Sequence, residues 1–304
     1  MIVRDKSNRF QLLFAWHGTI LPRVLPALCL VLLISTAVVM TSKFELFKLP
    51  EVPMVGFTIF GVILSIFLSF RNSACYERWW EGRKLWGLLI ATTRHWVRDT
   101  HILKDAALRQ QLLYQQLLFN HLLRDRLRQS MVVLSFDLKQ SGYAVQEFDK
   151  LRMRINAPQC VLEQMQQQLV ASHQQGQITD ILYRGLNEHL VQVGEIQAGC
   201  DRILSTPLPF SYSVLLHRAV YSFVFILPFS LEASLGIATP ILVALIAYLF
   251  LGFDELSSEL EEPFGMQDND LALDAMVRLM ERETLDSLGH DLPAEIRPHS
   301  GHLT

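Results

Sequence analysis

Charge is absent from four strongly apolar stretches of the chain, and their lengths set the first expectation. Val24–Ser42 and Val52–Phe70 each run 19 residues without Asp, Glu, Lys or Arg. Ala219–Leu231 runs 13 and Ala233–Phe253 runs 21, with Glu232 alone between them. At 1.5 Å per residue, 19 helical residues reach about 28 Å, close to the hydrocarbon thickness of a bilayer. The first, second and fourth stretches are each long enough to span. The third reaches span length by extending upstream past Arg218 and His217 to Tyr212, which predicts a polar end shielded by protein. Pro228 and Pro240 flank the short outer turn rather than break a span at its centre. The pattern predicts four membrane helices.

Between the second and third spans the period is also helical. Asp99–Arg128 reads as one helix, with Leu108, Leu112, Leu113, Leu117, Leu118, Leu122 and Leu123 recurring at three to five residues. Arg124, Arg126 and Arg128 are expected on its polar side or at its end. Ser141–Gly142 marks a break. A shorter helix is expected over 144–154, stopped near Pro158, then a Gln-rich helix over 162–175 ending at Gly176. A further helix is expected over 178–203, with Leu182, Leu186, Leu190 and Val193 on one face. Pro207 and Pro209 lead back into the membrane. No alternating strand pattern is evident, so the expected class is an all-α membrane protein.

Composition agrees: the chain is 50% hydrophobic and 19% charged, with mean hydropathy +0.24. A formal net charge of −3 excludes a generally basic protein that coats nucleic acid, so no nucleic-acid partner is expected. Lys and Arg set orientation. Residues 1–23 carry four, residues 71–218 carry 18, and Arg278, Arg282 and Arg297 follow the last span. The first outer loop holds only Lys43 and Lys48, balanced by Glu45 and Glu51. Both termini are therefore expected in the cytoplasm. Met1–Phe10, with Arg4, Asp5, Lys6 and Arg9, reads as an interfacial or cytoplasmic arm rather than a cleaved signal. The expected organisation is an arm over 1–23, two spans over 24–75, a helical cytosolic region over 76–212, two spans over 213–253 and an acidic segment over 254–304. That last segment carries 13 acidic residues against 3 basic ones, whereas 71–218 carries 18 basic against 13 acidic. The tail is expected to dock on the basic region, within or between subunits, with Pro293–Thr304 peripheral or disordered.

The chain holds no GxSxG, Walker A, HExxH or GxGxxG before a strand, and nothing supports an enzyme. No cofactor and no metal site are expected. His95, His101, His121, His173, His189 and His217 show no ligand spacing, while His290, His299 and His302 near the end would catch a metal only opportunistically. Cys29 and Cys75 read as packing residues, and four dispersed cysteines exclude a disulfide scaffold or a zinc ribbon. In the second span Gly56, Gly61, Ser65 and Ser69 permit close helix packing. Val62, Ile66 and Phe70 stand at i, i+4 and i+8 on one stripe. In a ring of identical helices they would form three apolar collars, a constriction that gates by dewetting. Most residues of any span are apolar, so the stripe alone also fits an ordinary anchor.

One run of residues changes that balance. Arg71-Asn72-Ser73-Ala74-Cys75-Tyr76-Glu77-Arg78-Trp79-Trp80-Glu81 places Arg-Trp-Trp directly after a small-residue span. Ala219-Val220-Tyr221-Ser222-Phe223 follows, with Pro209 upstream. Gly252-Phe253, Glu259-Leu260 and Pro263-Phe264-Gly265 come last. In order and spacing, over roughly residues 5–275, this resembles the bestrophin family in its bacterial branch.

The resemblance implies a homopentameric ion channel in the bacterial inner membrane, with four membrane helices per subunit and a large helical cytosolic region. Its partners would be further copies of itself, the lipid bilayer and the permeant ions. It implies a pore neck at Val62, Ile66 and Phe70, and a second, cytosolic aperture within 177–182, at Ile181 or Ile178. Arg78, Trp79 and Trp80, with Pro263, Phe264 and Gly265, would be structural, the first three as a cation–π and packing hub. Animal members follow Pro-Phe-Gly with a dense acidic run that clasps calcium. Here Met266, Gln267 and Asn269 interrupt Asp268 and Asp270, so calcium, which wants six to eight oxygens, is expected to bind weakly or not at all. Asp268 and Asp270 read better as helix-start carboxylates. With no Lys or Arg in Val52–Phe70, and by the family branch, monovalent cations are the expected permeant ions, with a chloride channel of the same fold as the alternative. A membrane-anchored scaffold and a transporter stay as other classes. The transporter is disfavoured because spans one, two and four lack ionisable groups near the midplane.

Overall fold

The computed structural model describes residues 1–2, 15–16, 18–45, 52–130, 145–299 and 301–304. Its helices are α1 (Leu21–Lys43), α2 (Met54–Asp99), α3 (Ala106–Arg128), α4 (Val145–Arg152), α5 (Ala157–Gln174), α6 (Asp180–Ser205), α7 (Phe210–Leu235), α8 (Thr239–Glu261) and α9 (Leu273–Leu288). The described residues contain no strand, and extended pairing is confined to isolated bridges of His302 with Ile2 and His299. Among the described residues, three helical stretches are long and apolar enough to cross a membrane: Leu21–Lys43, Met54–Ile102 and Phe210–Glu261. A 3-10 turn over Gly236–Ala238 divides the last into α7 and α8. The chain forms two compact units, an apolar one from residues 4–79 and 207–263, and a more polar one from 1–3, 80–206 and 264–304.

The core of the apolar unit joins α1, α2, α7 and α8. Val24, Val31, Leu64, Leu68, Val220, Phe223, Val243 and Ala247 are among its buried residues. Phe223 stacks on Phe57 at 4.6 Å between ring centroids and lies 4.8 Å from Phe250. Gly61 makes this possible, because a Cβ there would stand 3.1 Å from the Phe223 ring. The glycine of the second span is thus a contact point for an aromatic side chain of α7.

In the polar unit α3 is the central element, buried continuously from Leu112 to Asp125. It does not begin at Asp99, as the sequence pattern predicts. Instead α2 runs unbroken to Asp99, a 3-10 turn covers Thr100–Ile102, and Asp105 caps a new helix. The Asp105 carboxylate accepts from the amides of Ala107 and Leu108 at 2.9 and 3.2 Å, satisfying donors that a helix start leaves unpaired. Pro158 likewise opens α5 rather than stopping α4, since a proline at the first helical turn surrenders no hydrogen bond. The expected break at Ser141–Gly142 and the arm over 3–10 lie outside the described residues.

Two further expectations hold in only one of their alternatives. Arg126 and Arg128 do stand in the last turn of α3, but Arg124 and Arg128 are not on a solvated face: their side chains are 6% and 4% exposed and share the carboxylate of Asp274. Pro293–Thr304 is not loose where it is described. Arg282 and Arg278 donate to the carbonyls of Pro293 and Ala294, the Ala275 amide donates to the Thr304 carbonyl at 2.8 Å, and Leu303 pairs with Met1. The acidic tail docks within the chain, with Arg94 gripping Glu283 through two bonds of 2.8 and 2.6 Å.

Candidate pore-lining stripe and its supports

Helix α2 carries the residues of greatest interest. Its buried positions Leu64, Leu68, Arg71 and Cys75, with the partly buried Phe57 and Gly61, recur every three or four residues and form one seam. At 100° per residue, Ile66 lies opposite the middle of that seam, with Val62 and Phe70 about 40° to either side. The three are 54%, 49% and 64% exposed in order along the chain. The fold therefore brings Val62, Ile66 and Phe70 onto one uncovered apolar stripe, while the opposite face is used for packing within the chain.

At the end of the stripe stands a charged lock that was not read from the sequence. Arg71, 4% exposed, donates through Nη1 to Asp254 Oδ1 and through Nη2 to Ser258 Oγ at 3.0 Å. The other oxygen of Asp254 lies 2.7 Å from His217 Nδ1, and Glu261 lies 3.8 Å from Arg71 Nη2. Arg23 of α1 pairs with Glu259 at 2.5 Å and Glu255 at 3.3 Å. These bonds tie α1, α2 and α7 to the acidic end of α8. Arg71 is the residue after Phe70, so the lock fixes the rotation of α2 next to the last residue of the stripe. The signal in the sequence was the spacing Asp254, Ser258, Glu261, which puts acceptors on one face of α8. It was hidden because charges at the end of an apolar run resemble ordinary solvated flanks.

The signature motifs act as supports. Arg78 Nε donates to the carbonyl of Glu261, the last residue of α8, and so caps a helix end that carries negative partial charge. Trp79 stacks on Tyr76, with centroids 6.2 Å apart, and Trp80 is half exposed. Phe264 is buried against Gly82, where a Cβ would stand 3.1 Å from its ring. Pro263 is buried and Gly265 partly so. One explanation serves both motifs: the glycine four residues after Arg78 leaves room for the phenylalanine of Pro-Phe-Gly.

The two aperture candidates separate. Ile178 is 4% exposed and so offers no lining surface in this conformation, whereas Ile181, in the first turn of α6, is 82% exposed. Thr179 caps that helix through the Leu182 amide at 3.4 Å, and Asp180 lies 2.6 Å from His173 Nε2, so the start of α6 is anchored on both sides of Ile181.

The remaining sequence candidates are dispersed. Cys75 is buried, but Cys29 is exposed on α1 and is not a packing residue within the chain. No group of three or more potential metal ligands occurs among the described residues. His290 bonds Tyr114 at 2.8 Å. Asp270 is buried, and its Oδ2 accepts from the Gln267 amide at 2.7 Å.

The model of the family described as bacterial/fungal bestrophin protein matches residues 1–286. A voltage-dependent anion channel-forming protein of Mesorhizobium japonicum is 38% identical over 300 residues, covering 97% of this chain and 96% of the relative. The protein YneE of Escherichia coli K12, also named voltage-dependent anion channel-forming, is 36% identical and covers 98% of each chain. Among solved structures, a bacterial bestrophin homolog from Klebsiella pneumoniae superimposes with TM-score 0.80 at 30% identity, over 88% of this chain and 99% of that one.

Proposed function

Since the chain belongs to the bacterial and fungal bestrophin family, we propose that it is a membrane ion channel whose neck is formed by Val62, Ile66 and Phe70 from several copies of α2. The observation that carries this reading is the stripe itself: a bilayer-length helix buries one seam and leaves the opposite apolar face uncovered. One helix cannot enclose a pore, but a ring of them closes one, and apolar collars hold back ions by excluding water at a narrow diameter. We assign four spans, α1, the first part of α2, α7 and α8, with both termini on the cytoplasmic side of the bacterial inner membrane. Five subunits are proposed from the family resemblance. Ile181 is proposed for a second, cytosolic aperture, and Ile178 is not retained there because of its burial.

The permeant ion is revised from the expectation. The expectation of monovalent cations rests mainly on the family branch and, besides it, on the absence of Lys and Arg from the span; an uncharged stripe selects neither sign. The full-length relatives are named anion channel-forming proteins, so we assign anions, with monovalent cations as the reading the test discriminates. Calcium gating is not part of the proposal: Met266 brings no side-chain oxygen, Gln267 and Asn269 bring no charge, and one oxygen of Asp270 already accepts from a local amide.

Planar-bilayer recording of the purified protein under a KCl gradient tests the proposal. Reversal near the chloride equilibrium potential is the expected result. Reversal near the potassium potential keeps the channel and overturns the ion assignment. An absence of current in the native protein and in both Ile66→Ala and Phe70→Ala variants overturns the channel reading.

A further inference from the structure

The polar unit contains a cavity of about 380 Å³ between α3, α9 and the segment that follows α9. A ligand pocket of drug or metabolite size starts at roughly 300 Å³. Its polar end is built by Arg124, Arg128 and Ser130 from α3 and its cap, and by Arg278 from α9. Three guanidinium groups thus meet there, while Asp274 supplies a side-chain carboxylate and Thr304 also lines the wall. Asp274 is already shared, 3.2 Å from Arg124 and 2.5 Å from Arg128. Arg124 is further held by Asp125, and Arg278 by Glu281 at 3.0 Å. Arg128 stands apart from these two. Its side chain is 4% exposed, Nη1 is bound to Asp274, and the buried Nε has no hydrogen-bond partner. The buried hydroxyl of Ser130 also lacks one. A donor removed from water and left unpaired is unfavourable, so a cavity lined by both residues invites an acceptor.

Ser130 is placed by backbone rather than by chance. Gln129 takes the left-handed conformation at φ 50°, and the Ser130 amide returns to the Asp125 carbonyl at 3.0 Å. The electrostatics point the same way. His121, also lining the cavity, has its pKa lowered to about 3, first by burial and then by the positive charges of Arg124 and Arg278. The imidazole is therefore neutral and leaves the guanidinium groups as the charge-bearing donors. The other end is apolar: Met266, Val277 and Ile296 form a wall that no inorganic ion would use.

We propose that this cavity binds a soluble organic phosphate, with the phosphomonoester oxygens on Arg128 and Ser130 and the organic body against Met266, Val277 and Ile296. Guanidinium matches phosphate geometry through two parallel bonds, and here the Nε edge of Arg128 is the free side of the fork. Because α3, α9 and the C-terminal segment all contribute walls, a bound ester would tie the three together.

The test is thermal unfolding of the full chain in detergent, titrated with phenyl phosphate, with inorganic phosphate, and with KCl at matched ionic strength. Phenyl phosphate is expected to raise the unfolding midpoint with saturation, inorganic phosphate to do so at higher concentration, and KCl not to reproduce either. Arg128→Gln is expected to weaken the apparent affinity at least tenfold. Ile296→Trp, which fills the apolar end and leaves the ion pairs intact, is expected to abolish the preference for the ester and serves alone if Arg128→Gln does not fold. No saturable response in the native chain overturns the proposal, as does an unchanged response in Ile296→Trp. Dihexanoyl phosphatidic acid binding more tightly than phenyl phosphate would assign the site to a lipid headgroup and overturn the soluble ligand.

Discussion

Arg71 shows how much one side chain holds in this fold. A guanidinium that is 4% exposed has been taken out of water, and its partner Asp254 is equally enclosed. Such a pair adds little net stability compared with apolar residues of the same shape, but removing one partner strands the other. Asp254→Ala should therefore destabilise the apolar unit by about 3–5 kcal/mol, whereas Arg71→Met combined with Asp254→Leu should lose far less. Detergent-phase unfolding of the two variants checks this, and equal losses in the single and double variants would refute it. Gly82 works by absence. A methyl group there meets the Phe264 ring at 3.1 Å, so Gly82→Ala should cost about 1–3 kcal/mol by overpacking, and Gly82→Ala with Phe264→Leu should recover part of it. His121 sets a pH dependence. Its folded pKa, about 3, lies below the ordinary value of 6.5, so the unfolded chain takes up the proton first as pH falls. This group leaves stability unchanged above pH 6.5 and lowers it progressively between 6.5 and 3, by at most about 1.4 kcal/mol per pH unit. Unfolding midpoints across that range should fall less steeply in His121→Gln.

At the scale of the element, α2 explains both what was legible in the sequence and what was not. Its apolar half is legible from run length, because the bilayer-length requirement leaves few alternatives; a period of four puts Val62, Ile66 and Phe70 on one stripe, but only the family resemblance singles that stripe out among the apolar residues of the span. The continuation to Asp99 was missed because the charges from Arg71 onward look like the end of a span. They are instead absorbed, Arg71 by Asp254 and Arg78 by the end of α8. The helix start at Asp105 was missed because the leucine period on either side hides a local cap. The position of Arg128 at the end of α3 is legible, but the burial of Arg124 and Arg128 is not, because their acid, Asp274, is about 150 residues away in sequence and long-range pairing is invisible to a periodic pattern. The neck reading makes a prediction that belongs to the whole helix. Ile66→Ala and Phe70→Ala remove bulk from the uncovered face and touch none of the buried seam. Both should fold normally and pass a larger unitary current than the native protein, with Phe70→Ala losing the larger side chain. Leu68→Ala removes the same kind of mass from the seam, so it should lower stability by about 2–5 kcal/mol. An unchanged unitary current in both neck variants would reject the stripe as a constriction.

For the whole molecule, the question is what covers the apolar surface that a single chain leaves open. Val62, Ile66 and Phe70 lie uncovered along one line of α2, and Ile181 is 82% exposed in the polar unit. Lipid satisfies an apolar face in the first unit but cannot reach a helix whose neighbours are Asp180 and Arg184. A symmetric ring would cover each patch with its own copies, without any new sequence feature. The same ring makes the channel reading stand or fall with assembly: a monomer of 34.9 kDa offers one helix and no enclosed path. Native mass spectrometry of the detergent-solubilised protein should therefore give five copies of the chain, and no monomer capable of conducting. Ile181→Asp would place a ring of like charges where the resemblance puts the cytosolic aperture. It should leave the pentamer intact and shift the reversal potential toward cations, since carboxylates at a constriction repel anions. A pentamer with an unmoved reversal potential would remove Ile181 from the ion path while keeping the neck, and a monomer would remove both.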